Sequence, residues 1–101
     1  MSLFIVVWHY AKGAEITDQI RSEHRTYLRG LAARDSVRSS GRITDGTGAI
    51  LIYQAVDRET VDRFVADDPF NLHHVIDRYD VYEWDPLIGP FAEAPTPASH
   101  A

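Results

Sequence analysis

The apolar positions change period along this chain, and the changes mark its elements. Residues 3–10, LFIVVWHY, are β-branched and aromatic with a nearly unbroken apolar stretch, which predicts a strand covered on both sides or central in a sheet. Ile16, Ile20, His24, Tyr27, Leu28 and Leu31 then follow at i, i+4, i+8, i+11, i+12 and i+15, one stripe of an α-helix over residues 16–34. Thr17 and Asp18 are its candidate caps. Residues 36–43, SVRSSGRI, predict a short polar strand, and residues 44–48, TDGTG, a hairpin turn with Asp-Gly at the positive-φ positions. Residues 49–56, AILIYQAV, predict a further strand. Asp57 reads as the N-cap of a second helix over residues 58–67, with Val61, Phe64 and Val65 as its apolar face. Asp68-Pro69 ends it, because the residue before proline is pushed out of the α region. FNLHHVI is a short turn or helix, and residues 78–86 alternate Tyr79, Val81 and Glu83 against Asp80, Tyr82 and Trp84 as a last strand.

The order is β-α-β-β-α-β. This predicts an α+β, ferredoxin-like domain over residues 1–86, an antiparallel sheet with both helices on one face. A tail over residues 87–101, rich in proline and alanine from Pro90 on, is expected to be disordered in part or to dock on a partner subunit. The sheet face away from the helices also carries apolar residues, and the chain has only 101 residues, so a homodimer is expected.

Charge and composition narrow the functions. The formal net charge is −5 and the ten Lys and Arg residues are scattered, which argues against nucleic acid. Arg21, Arg25 and Arg29 recur on one helix face and read as a solvated face, with an anion-attracting rim as the alternative. There is no cysteine, so disulfides, thiolate metal sites and a cysteine nucleophile are excluded. No apolar run is long enough for a membrane span, and residues 3–8 are too short for a signal peptide, so a cytoplasmic location is expected.

The chemistry centres on His24, which stands in the buried stripe where a leucine is expected. The second helix continues its own buried stripe, Val61, Phe64, Val65, to Asp68. Two polar groups aimed into one small core are expected to meet, since either one left alone costs a few kcal/mol. A carboxylate against an imidazole fixes the tautomer and leaves a general base. The competing reading is a structural tie that only holds a pocket in shape.

At this point the chain resembles a known family. RSEHRTYL with Arg21, His24 and Leu28, then Ser40-Gly41, then ADDPF with Asp68, Pro69 and Phe70, are similar to the YciI-like (YCII-related) proteins over about residues 3–86. The resemblance implies a dimeric ferredoxin-like α/β-barrel fold and a proposed active-site dyad whose positions fall on His24 and Asp68. It also implies mostly unassigned activities, with lyase-like enzymes of aromatic degradation among them. Two positions depart from the family pattern: Asp35 stands where glycine or asparagine is common, and Arg42 where proline tends to follow Gly41. Asp35 reads as a loop residue, with a second carboxylate near the site as the alternative.

The functional expectation is a small cofactor-free enzyme that moves a proton, in lyase or isomerase fashion, on a small organic acid. A non-catalytic small-molecule-binding module is the alternative. His9, Arg42 and Phe70 are the candidate substrate contacts. Trp8, Tyr53, Tyr82 and Trp84 read as core or interface residues. His73 and His74 lack a metal-ligand spacing, so no metal is expected.

Overall fold

The computed structural model describes residues 1–92. Its elements are β1 (Ser2–Tyr10), α1 (Asp18–Ala33), β2 (Val37–Arg42), β3 (Gly48–Ala55), α2 (Arg58–Asp67), α3 (Pro69–Leu72) and β4 (Ile76–Trp84). The strands form one sheet in the order β2-β3-β1-β4, and every ladder is antiparallel. β1 is therefore central, as its apolar run predicts. Its burial alternates, however: Phe4, Val6 and Trp8 are buried while Leu3, Ile5 and Val7 are only half-buried. The first set faces the helices and the second faces away from them.

The core lies between that inner face and the helices. Leu28 and Leu31 of α1, Val61 and Val65 of α2, and Phe70 of α3 pack against Phe4, Val6, Trp8, Leu51 and Tyr53. Each such side chain contributes roughly 1.5–3 kcal/mol on burial. The last strand carries aromatics on both faces. Tyr79 and Val81 pair across from Trp8 and Val6 on the inner face, and Tyr82 pairs with Ile5 on the outer one.

One expectation is overturned. The sheet is not closed into a barrel: β2 and β4 are its two edges, with β3 and β1 between them. A barrel needs its edge strands paired, and four strands with their edges at opposite sides form an open sheet. β2 is short, and all of it after Val37 is exposed, as its polar sequence requires. Strand limits also shift, β4 opening at Ile76 rather than at residue 78 because buried Val75 and Ile76 carry the chain directly onto β1.

Local chemistry fixes the connections. Thr17 Oγ1 accepts from the Ile20 N–H at 3.1 Å and caps α1. Asp57 caps α2 by accepting from the Thr60 N–H at 2.8 Å. Past the C-cap of α1, Asp35 takes a left-handed φ of 62°. There its N–H reaches Ala32 O at 3.0 Å, and the Ser36 N–H reaches Leu31 O at 2.9 Å. This is a Schellman stop, the place for glycine or asparagine, so Asp35 is a loop residue tolerated at some strain. In the β2–β3 hairpin Gly46 has φ 81°, and Asp45 Oδ1 accepts from the Thr47 N–H at 2.9 Å. Gly48 is required for a different reason: a Cβ there would stand 1.8 Å from the Trp8 carbonyl oxygen. Of the expected tail, Leu87 and Ile88 are exposed, and residues 93–101 lie outside the described residues.

Candidate active site

Helix α1 turns one face toward α3 and the end of the sheet, and His24 sits mid-stripe on it. Asp68 closes α2 and opens α3, with the extended backbone (φ −67°, ψ 133°) that a following proline imposes. The two side chains meet: His24 Nδ1 lies 2.8 Å from Asp68 Oδ1. Asp68 is wholly buried, and the His24 side chain is only 14% exposed.

The same carboxylate oxygen accepts a second bond, from the Phe70 N–H at 2.9 Å, so Asp68 both caps α3 and holds the imidazole. Its other oxygen, Oδ2, is buried without a protein partner among the described residues. The His24 ring stacks on Phe70 with centroids 3.9 Å apart and planes 14° apart, and Trp8 stands 5.5 Å away on another side. Packing and hydrogen bonding thus leave the ring little rotational freedom. A carboxylate can only accept, so Nδ1 carries the proton, and in the neutral ring Nε2 presents a lone pair.

The surroundings of the carboxylate are tyrosine-rich. The Tyr53 hydroxyl is pushed well above its ordinary range, first by burial and then by the negative charge of Asp68. Tyr27 donates to Phe64 O at 2.8 Å, and burial, followed by Asp68 and Asp67, pushes its hydroxyl up to about 12. Both phenols stay neutral beside the carboxylate.

His24 opens onto a cleft of about 800 Å³ between α1, the end of β1, the tip of β2 and α3. Phe70, Leu28 and Leu51 supply apolar wall, and Arg21, Arg25, Arg42 and Tyr10 supply polar groups. Of the expected substrate contacts, Arg42 and Phe70 lie on this cleft. His9 does not: it neighbours Tyr10 in the strand and so points to the opposite face, where Nε2 lies 3.1 Å from Asp80 Oδ2. Asp35 is exposed and is not part of the cleft. His73 pairs with Glu23 at 3.3 Å on the surface, and His74 is exposed with φ 60°. Among the described residues no group of three or more His, Cys, Asp or Glu side chains is placed to hold a metal ion.

Sequence reasoning missed Tyr10 as a cleft residue. The signal was present, since Trp8 and Tyr10 share a strand face and the inner one holds the site. Arg21 and Arg25 read mainly as solvated, although Arg21 stands at i−3 on the face of His24 and both line the cleft.

Fold and site together define a small ferredoxin-like α+β domain with a buried histidine–carboxylate pair at the floor of a cleft. The chain belongs to the family of YCII-related domains, whose pattern it matches over residues 3–85. Among solved structures it is similar to the 5-chloro-2-hydroxyhydroquinone dehydrochlorinase of Burkholderia phenoliruptrix AC1100 in complex with 2,5-dihydroxybenzoquinone. That likeness has 25% identity and a TM-score of 0.72, covering 82% of this chain and 93% of the other. Rv0793 from Mycobacterium tuberculosis shares the fold at 17% identity and a TM-score of 0.51, covering 86% of this chain and 95% of the other. The comparison with curated proteins gave no match. No helix among the described residues is long and apolar enough to cross a membrane.

Proposed function

We propose that this protein is a small enzyme in which His24, oriented by Asp68, removes or delivers a proton on a small organic acid in an elimination or isomerisation. The observation that carries the reading is the 2.8 Å bond at Nδ1 of a ring that opens onto the cleft, because it leaves Nε2 as the proton acceptor. A dehydrochlorinase with the same fold and 25% identity supports an elimination. The net change its name describes is loss of a proton and a chloride, which calls for proton transfer at the substrate. Phe70 stacks under the imidazole and offers an apolar wall to a flat substrate, and Arg42 offers a cationic contact at the rim.

The test is chloride release from chlorinated hydroxybenzoic acids, with 5-chloro-2-hydroxyhydroquinone as the carboxylate-free comparison, together with NMR of the His24 ring during titration with 2,5-dihydroxybenzoquinone. His24→Ala is expected to abolish turnover in protein that circular dichroism shows still folded, though it melts earlier. Asp68→Asn is expected to lose about 10²–10⁴-fold in rate through a misplaced or mis-tautomerised ring. If both variants merely melt earlier and bind ligand as before, the pair is structural and the protein is a binding module.

The working form proposed is a homodimer. Ile5, Val7, Ile50, Ile52 and Tyr82 share the sheet face away from the helices, where Ile50 is 44% and Tyr82 57% exposed. A second copy of the same face would bury this patch. Light scattering at micromolar concentration is expected to give twice the chain mass, and Ile50→Glu to give a monomer. A wild-type monomer removes the proposal.

A further inference from the structure

The cleft is cationic in an acidic protein. The chain carries a formal net charge of −5, yet three arginines and no carboxylate line the cleft. They come from two sides, Arg21 and Arg25 from α1 and Arg42 from the end of β2. Arg25 and Arg42 make no ion pair among the described residues, and the ionic contact of Arg21 is a loose 3.9 Å approach to exposed Asp18. Arginines lining one cleft from two sides, with no carboxylate among its lining residues, favour an anion there.

Tyr10 adds a neutral donor. The β1–β4 register slips between His9 and Tyr10, and Tyr10 stands at this irregularity, half-buried in the cleft with its ring edge toward Phe70 at 6.2 Å. Its hydroxyl makes no hydrogen bond among the described residues. Burial raises its pKa, while the charges of Arg21 and Arg42 lower it, so the phenol feels both guanidinium groups.

The geometry points to a carboxylate-binding subsite formed by Tyr10, Arg21 and Arg42, next to His24 in the same cleft. The inference rests on the cleft being the substrate site, and it names the substrate class: a flat, unsaturated acid whose carboxylate is held at the rim while its carbon skeleton lies along Phe70 and Leu51. A carboxylate suits this site better than a phosphate. Two guanidinium forks and a phenol match a planar anion. The start of α1, where a phosphate would seek free N–H groups, is already capped by Thr17 and carries Asp18.

The experiment is calorimetric titration of the full chain with salicylate and with salicylamide, its neutral isostere. Wild type is expected to bind the acid at least about tenfold more tightly than the amide. Arg42→Ala and Arg21→Ala should each remove most of that preference, Tyr10→Phe part of it, and Arg29→Ala, on the same helix outside the cleft, none. Equal binding of acid and amide, no binding of the acid at millimolar concentration, or a preference surviving both Arg42→Ala and Arg21→Ala overturns the subsite. An equal loss in Arg29→Ala also overturns it, by showing a diffuse field. His24→Gln separates this inference from the dyad. It should keep the preference for the acid while losing turnover. Turnover that persists in His24→Gln with the preference intact sinks the dyad alone, and a missing preference with turnover still dependent on His24 sinks the subsite alone.

Discussion

Replacing His24 with leucine puts into the α1 stripe the residue its spacing asks for, and it should nevertheless destabilise the protein. Asp68 Oδ1 holds two donors, His24 Nδ1 at 2.8 Å and the Phe70 N–H at 2.9 Å, while Oδ2 has no protein partner. In His24→Leu the wholly buried carboxylate keeps a single donor. Breaking a buried pair in this way costs about 3–5 kcal/mol. Leucine against Phe70 and Trp8 recovers about 1 kcal/mol of apolar contact. The net expectation is a loss of about 3 kcal/mol, on the order of 12–24 °C in Tm for a domain of this size. Asp68→Asn alone should cost about 1–3 kcal/mol, since its amide must leave a donor or acceptor unmet at the buried Oδ2 position. The diagnostic is the double variant. An asparagine still caps the Phe70 N–H and carries no charge, so His24→Leu/Asp68→Asn should be more stable than His24→Leu alone. Urea melts of the four proteins at neutral pH give the cycle. Strict additivity, or a His24→Leu protein as stable as wild type, refutes the argument that the pair is coupled and buried.

Three further outcomes are expected. Gly48→Ala should cost about 3 kcal/mol or more in denaturant melts, because a Cβ 1.8 Å from the Trp8 carbonyl oxygen forces the β1–β3 ladder apart. Asp35→Gly should raise stability by about 0.5–1 kcal/mol in the same assay, by relieving a left-handed φ of 62°. Stability should fall at alkaline pH. Tyr27 ionises near 10.0 when unfolded and near about 12 in the fold, so the contribution is full below pH 10 and is lost as pH rises through about 12. Near-ultraviolet absorbance titration alongside circular dichroism checks this, and Tyr27→Phe should make the alkaline fall shallower at a cost of about 1 kcal/mol at neutral pH.

The fold was legible because its signals are local and periodic. A β-branched run, two stripes at helical spacing, an Asp-Gly turn and an Asp-Pro stop each act through neighbouring residues, and the structure keeps their order. The difference in sheet closure is of another kind. Whether edge strands pair is decided by where β2 and β4 fall in the sheet, and no spacing within either strand encodes that. Helix limits moved for a local reason: α1 begins at Asp18 and not at Ile16, because Thr17 is its N-cap, its hydroxyl accepting from the Ile20 N–H. The face of β1 away from the helices looked as apolar as the other, and only the helices' placement shows which one became the core.

The same contrast runs through the site. His24 and Asp68 were readable as partners because each breaks an apolar stripe, and a broken stripe in a small core has few remedies. Charged and polar residues at a rim break nothing. Arg21, Arg25 and Arg42 look in sequence like any solvated arginine, and the neighbouring carboxylates Glu23 and Asp18 suggest local neutralisation. What distinguishes them is a shared cleft lined without a carboxylate, which depends on α1 and the end of β2 converging across sixteen or more intervening residues. His9 makes the point in reverse. Placed beside Tyr10, it reads as a cleft residue until strand alternation sends it to the far face and Asp80. A proton-transfer centre can therefore be found from a sequence by its cost to the core. The groups that choose its substrate impose no such cost, and they emerge only when the strands and helices are set in place.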